Sequence, residues 1–362
     1  MVGHSILFSL PWEILLLIFD ELDPAFQVAF ALAAKPFWTG FFPSGKVSLN
    51  DEDNLVDLLM LLERDIPTRY FCFQCARLRP YSPSGEPSCD HPPPSRLSQK
   101  FQYVRKYYPS WMPESEWPDL SFLDARLVMN RHFYGPSYGL PLKRLEYRTD
   151  VKKYLDLGHR RYFTRYQNQK LHREKKPWRV IHISNAKIVN DELLLARSLT
   201  IAGPSVPLKQ FRRVLEKLQL PLCRHLACSQ TMPFPYRYDG SIGYRQLPQI
   251  SFLHPTENNS TEYAGSCAQC FTDYVISIRG QAGVTEWVLE LSVYHRFGSF
   301  RTPGDLIWLS NVTDSSPSRL GLFNLTGHRE FGPGEIRRRW HLGSAAFVEK
   351  ESVWAAKDTS MA

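Results

Sequence analysis

WRVIHISNAKIVNDELLLARSLTIAG, residues 178–203, decides how the chain is read. Apolar and polar residues alternate along it, and Val180, Ile181, Ile183, Ile188 and Val189 are β-branched. That period of two belongs to strands with one covered face, and Asn190-Asp191 supplies a turn between two of them. A second stretch, DYVISIRGQAGVTEWVLELSVYHRFG at residues 273–298, repeats the pattern. It predicts a strand over Tyr274–Arg279 meeting another over Thr285–Arg296 across a Gly-containing loop. The expectation is an antiparallel sheet between about 178 and 310.

Upstream the period changes. NLVDLLMLLERDIP, from Asn54, places Leu55, Leu58, Leu59 and Leu62 on one helical side, and Pro67 marks its end. Gln99 to Tyr107 and Ser121 to Arg131 also read as helices, whereas SPSGEPSCDHPPPS at 82–95 is loop by composition. The expected class is therefore α+β, with helices first and an antiparallel β-rich part after them. The 362 residues are enough for two or three domains. A content of 43% hydrophobic and 22% charged residues is globular, and the 27 prolines favour short elements and loops. The net charge of +8 permits an acidic partner without requiring one. No repeat with a solenoid period is present.

The first residues are MVGHSILFSLPWEILLLIFDELDP, with six apolar residues from Ile14 to Phe19 between Glu13 and Asp20. A secretory signal is not expected. No Lys or Arg precedes the run, Pro11 and Glu13 interrupt it, and no Ala-x-Ala-like site follows. Asp20, Glu21 and Asp23 close it well short of the about 20 apolar residues a spanning helix needs. The expectation is an intracellular protein, in cytoplasm or nucleus, with no membrane span. The sequons at Asn258, Asn259, Asn311 and Asn324 are then chance matches, and the seven cysteines are thiols or metal ligands. Pro11 suits a helical first turn, where its missing N–H costs nothing, and Glu13 complements the dipole there. Leu10, Ile14, Ile18 and Leu22 form one stripe, extended by Leu15 and Phe19, while Leu16 and Leu17 fall on the other side. A helix apolar all round must be covered all round, and part of that cover is expected from another protein.

The order Leu10-Pro11-x-Glu13-Ile14-Leu15-x-x-Ile18-Phe19-x-x-Leu22-Asp23 resembles the start of an F-box, a bundle of about three short helices. The continuation PAFQVAFALAAKPFWTGFF resembles its second half, without the commoner Cys and Trp context before Phe37-Trp38. The match covers roughly residues 8–45. It implies docking to a Skp-type adaptor of a cullin-based SCF ubiquitin ligase through Leu10, Pro11, Ile14, Leu15 and Ile18. Phe19 and Leu22 lie at the same surface or pack within the bundle. ARLVMNRHFYGP, the CxxC with LRP, and CAQCFTDYVISI are similar to a group of fungal F-box proteins without a known substrate. The expected organisation is an F-box at 8–45 and a helical region with a Cys/His knuckle at 46–140. A basic connecting segment at 141–177 leads to an antiparallel β-rich domain at 178–345, and a tail follows at 346–362.

Every cysteine falls in a cluster with metal-ligand spacing: Cys72-x2-Cys75, Cys89-x-His91, Cys223-x-His225-x2-Cys228 and Cys267-x2-Cys270. Thiolates two residues apart reach one ion from one tight turn, and two such pairs with further Cys or His suit tetrahedral zinc. The preferred partition has two structural sites. Cys72, Cys75, Cys89 and His91 form the first. Cys267 and Cys270, with two of Cys223, His225 and Cys228, form the second, so one of these five is spare. A rival partition joins Cys72 and Cys75 to the later clusters in one site, and buried thiols without metal are the plain alternative. A zinc closed by four protein ligands serves folding and not catalysis.

GHRRYFTRYQNQKLHREKKPWR, from Gly158, carries eight Lys or Arg and one acid, Glu174, with four aromatics among them. Charge for phosphates and rings for bases would suit single-stranded nucleic acid. A solvated charged face is the commoner meaning of such a run, and no nucleic-acid-binding signature accompanies it. Gly135-Pro136-Ser137-Tyr138-Gly139 matches GxSxG, but a helical segment precedes it where a nucleophile elbow needs a strand. His132 and His295 read as structural. No catalytic constellation emerges. The sequence therefore favours a non-catalytic subunit that carries an unknown protein client to a ligase, with a zinc-stabilised nucleic-acid-binding protein as the alternative.

Overall fold

Asn190 and Asp191 both adopt positive φ, at 51° and 60°. This is the left-handed pair that a two-residue type I′ hairpin requires, and Asn and Asp tolerate it. The turn joins β4 (Trp178–Val189) to β5 (Glu192–Ala202), which pair from Val189↔Glu192 to Arg179↔Ala202. The computed structural model describes residues 6–47, 49, 51–73, 75–81, 120–153, 178–203, 220–223, 227–228, 261–267, 270, 272–280, 287–312 and 332–342. The chain divides into two compact units, Met1–Gln102 with Asn130–Leu140, and Tyr103–Met129 with Pro141–Ala362. Helices together with antiparallel sheets make the fold α+β.

The first unit holds α1 (Trp12–Asp20), α2 (Pro24–Leu32), α3 (Lys35–Phe41) and α4 (Glu52–Asp65). Pro11 precedes α1, and its carbonyl accepts the Ile14 and Leu15 amides at 3.1 and 3.2 Å. Asp23-Pro24 opens α2 with Pro in the first turn. Gln27 of α2 donates its side-chain N–H to the Phe19 carbonyl at 3.0 Å, beside the Leu22 amide at 3.2 Å, so the end of α1 is capped from the next helix. Aromatic rings weld the three short helices. Phe41 stacks on Phe19 at 4.1 Å and on Trp12 at 4.8 Å, and Phe30 stacks on Phe37 at 5.1 Å. Ala25, Val28 and Leu58 form the core between α2 and α4.

β1 (Arg69–Cys72) and β2 (Arg77–Pro80) follow as an antiparallel hairpin, within a region expected to be helical. Tyr70, Phe71 and Phe73 are buried there. The buried Glu63 carboxylate accepts the Phe71 amide at 3.0 Å and the Asn130 amide N–H at 2.9 Å, so its charge is met by two donors. Asn130 lies on α5 (Phe122–Tyr134), the helix read from the sequence at Ser121–Arg131. The helix read at Gln99–Tyr107 lies outside the described residues. The Gly135–Gly139 segment is a 3₁₀ turn after a helix, and the Ser137 carbonyl accepts from the Thr68 amide and the Tyr81 hydroxyl at 3.0 and 2.6 Å. It lacks the strand that a nucleophile elbow needs.

The second unit is built on a six-stranded sheet in the order β3-β4-β5-β10-β9-β8, every neighbour antiparallel. β3 (Tyr147–Lys153) is an edge strand inside the segment expected to be a basic connector. Two short strands follow, β6 (Leu220–Pro221) and β7 (Ala227–Cys228), paired with each other. Then come β8 (Thr261–Cys267), β9 (Thr272–Gly280) and β10 (Trp287–Gly298), the last two starting two residues away from the expected strand ends. One sheet face is buried: Val180, His182 and Ser184 on β4, Leu195, Arg197 and Leu199 on β5, Leu291, Val293 and His295 on β10, Tyr274 and Ile276 on β9. α6 (Leu306–Val312) follows β10, and part of the face opposite the buried one receives α7 (Glu335–Leu342), where Ile336 packs with Val189, Leu194 and Tyr294. The start of α7 is tied to the sheet by Asp273, whose carboxylate accepts the Gly334 and Arg337 amides at 3.1 and 2.9 Å.

Gly203 marks where β5 leaves the sheet. Its amide donates to the Trp287 carbonyl at 2.9 Å, and a Cβ on it would stand 2.1 Å from the Trp178 ring. Trp178 is buried and cannot swing aside. Gly203→Ala is expected to cost about 1–3 kcal/mol through overpacking. Thermal unfolding followed by circular dichroism would read this as a melting point several degrees lower.

Candidate metal centre

Three thiols converge at one end of the sheet. Cys267 ends β8, and Cys270 sits in the short connection to β9, where the Thr272 amide donates to its carbonyl at 2.8 Å. Cys223 follows β6, in the loop of the β6–β7 hairpin. Their sulfurs all lie within 4.8 Å of one another, and all three residues are buried. Among the described residues they pack as a cluster of their own, unlike cysteines dispersed in an aliphatic core.

The arrangement fits a metal ion. Zn–S bonds of about 2.3 Å in a tetrahedron set sulfurs about 3.8 Å apart, so the three need to close by at most about 1 Å. None is in a disulfide. Burial pushes the Cys270 thiol well up from its ordinary value, and neighbouring Cys223 and Cys267 push it further. Three such thiols resist ionising together in a dry pocket. A divalent cation reverses that by supplying the charge that the thiolates need. The cluster could therefore hold a metal ion.

A second layer stands behind Cys270. Its sulfur lies 3.2 Å from the Thr272 hydroxyl, which lies 3.1 Å from His295 Nδ1. The register explains the contact: Cys267, Thr272 and His295 face one another across β8, β9 and β10. Burial first, and then the charge of Arg197, holds His295 well below the usual imidazole range, with Cys267 acting in the opposite sense. His295 is neutral at pH 7.

The chain matches no family model, no curated protein and no solved structure. Its site residues are thus read from their own placement. Of the five residues expected at the second site, Cys223, Cys267 and Cys270 come together. Cys228 lies on β7, cross-strand from Leu220, while His225 lies outside the described residues. Cys72 and Cys75 are buried at the β1–β2 turn, where the Cys72 carbonyl accepts the Cys75 and Ala76 amides at 3.2 and 2.8 Å and Ala76 takes φ 51°. Their expected partners Cys89 and His91 lie outside the described residues. The basic stretch at 158–179 also lies outside them except for its last two residues. Trp178 is buried, and Arg179 pairs with Asp150 at 3.0 Å, so those two belong to the sheet.

At the helical end, Pro11 and Ile14 are exposed, and Leu10, Ile18, Phe19 and Leu22 are half-buried. The structure corrects Leu15. It was expected to face outward, but it is 4% exposed and lies inside the bundle. Leu17, at 63%, is instead the most open apolar residue of α1, with Trp12 and Leu16 also exposed. Phe26 and Leu32 of α2 add to the exposed apolar surface. Sequence reasoning passed over Thr272 and read His295 only as structural, without a link to the thiols. The available signal was parity: both fall on the buried side of their strands, among Tyr274, Ile276, Leu291 and Val293.

Proposed function

We propose that this chain is the client-recognition subunit of a cullin-type SCF ubiquitin ligase, docking to a Skp-type adaptor through α1–α3. The observation that carries the reading is the exposed apolar surface of Trp12, Ile14, Leu16, Leu17, Phe26 and Leu32 on two short helices. Two short helices seldom leave so many large apolar side chains exposed without a partner to cover them. The F-box resemblance of residues 8–45 supplies the kind of partner. Ile14 and Leu17 are the anchors, flanked by Pro11 and the half-buried Leu10 and Ile18. Leu15 supports them from inside.

The metal is zinc, held by Cys223, Cys267, Cys270 and one of His225 and Cys228. Cys72 and Cys75, with Cys89 and His91, hold a second zinc in the first unit. Both ions are structural, because four protein ligands leave no position for water. The β-rich unit reads the protein client, and transfer of ubiquitin belongs to other subunits. Among the described residues no helix is long and apolar enough to cross a membrane, which suits a subunit of such an assembly.

Co-expression of the full chain with a Skp-type adaptor and a cullin tests the reading. A stoichiometric complex of all three on size exclusion is the expected result. A complex with the adaptor alone would restrict the role to adaptor binding. A chain that stays soluble, folded and alone would overturn it.

A further inference from the structure

We infer that Thr272 and His295 are positioning residues of the metal centre: the Thr272 hydroxyl holds the Cys270 sulfur, and His295 holds the hydroxyl. The inference rests on the reading of Cys223, Cys267 and Cys270 as a zinc site. It starts from the distances already given, 3.2 Å from sulfur to hydroxyl oxygen and 3.1 Å from that oxygen to His295 Nδ1. Thr272 and His295 are each 1% exposed, so bulk water does not compete for these contacts.

The direction of the relay follows from counting protons. A metal-bound cysteine sulfur is a thiolate and can only accept. A threonine hydroxyl has one hydrogen to give. If that hydrogen goes to sulfur, the oxygen must accept from His295, whose Nδ1 therefore carries the hydrogen. Each link thus orients the next, as a ligating group's outer partners generally do. The strand register fixes both residues before any metal arrives, since Thr272 pairs with His295 on one side and with Cys267 on the other. The sulfur is aimed by side chains on two strands, although it sits in a connection between strands.

The test measures zinc affinity of the full chain by competition with a chromophoric chelator, together with the sulfur-to-cobalt charge-transfer band after cobalt(II) substitution. Thr272→Val keeps the shape and deletes the hydroxyl. It is expected to weaken zinc about 10–100-fold and to move the band, because the Cys270 thiolate loses a hydrogen bond. Thr272→Ser restores both. His295→Leu should weaken zinc in the same direction, whereas His295→Asn, which keeps an N–H near the Nδ1 position, should retain near-normal affinity. If Thr272→Val fails to fold, the two His295 variants decide the matter. Wild-type affinity and an unmoved band in both Thr272→Val and His295→Leu would overturn the relay and leave the zinc site standing. A wild-type chain that takes up neither zinc nor cobalt would overturn the zinc site, and the relay with it.

Discussion

Removing the metal with a strong chelator under reducing conditions is expected to loosen the β8–β9 end of the sheet and to lower the melting point by about 10 °C. The size follows from mass action. Free zinc 1,000-fold above its dissociation constant stabilises the bound state by about 4 kcal/mol, and one kcal/mol shifts a domain of this size by about 2–4 °C. The location follows from connectivity. Cys267 and Thr272 are cross-strand partners at the three-thiol cluster, and their neighbours Ser266 and Asp273 hold the Gly334 amide. Slackening that hairpin therefore also releases the first turn of α7. Hydrogen exchange should show the Gly334 and Arg337 amides losing protection on chelation, while the Asn190–Asp191 end of the sheet keeps its own. Identical melting with and without chelator would mean the thiols are packing groups only. Cys270→Ser should reproduce the chelated state.

The double variant Ile14→Asp, Leu17→Asp is expected to abolish adaptor binding with the fold intact. Apolar anchors at the centre of an interface each contribute about 2 kcal/mol or more on truncation, so losing two weakens binding at least about 100-fold. Both side chains are exposed in the free chain, so stability should change by no more than about 0.5 kcal/mol. Leu15→Asp is the informative contrast. It places a charge inside the α1–α3 bundle, and it should unfold that bundle. Calorimetry of the two variants beside a binding measurement separates a surface effect from a folding effect. Equal loss of stability in both would mean that α1 is simply a core helix.

How much was legible in advance depends on what each residue answers to. The 178–203 hairpin was legible because alternation and the Asn-Asp turn are local signals, and the same holds for α1, opened by Pro11. The three-thiol cluster was legible in part. Spacing set Cys267 and Cys270 with two of Cys223, His225 and Cys228, but which of the five is spare depends on chain paths that spacing does not encode. β3 was missed because YRTDVKK is polar and only half alternating, as an edge strand paired on one side can be. The β1–β2 hairpin was missed because its strands span four residues each, too few to show a period. Leu15 was set outward and Leu17 away from the interface because a run apolar all round has no internal evidence of which side its own bundle covers. Phe41, on another helix, stacks on Trp12 and Phe19 and decides that. Thr272 and His295 gain their meaning from strands β9 and β10 lying side by side, which neither segment announces alone.

What covers α1 and α2 decides the role of this chain. Hydrogen exchange of the full zinc-loaded chain, with and without a Skp-type adaptor, measures it. New protection confined to peptides from residues 10–32 is expected, with the 178–203 and 272–298 strands unchanged. No protection at 10–32, or protection confined to the sheet, would contradict it.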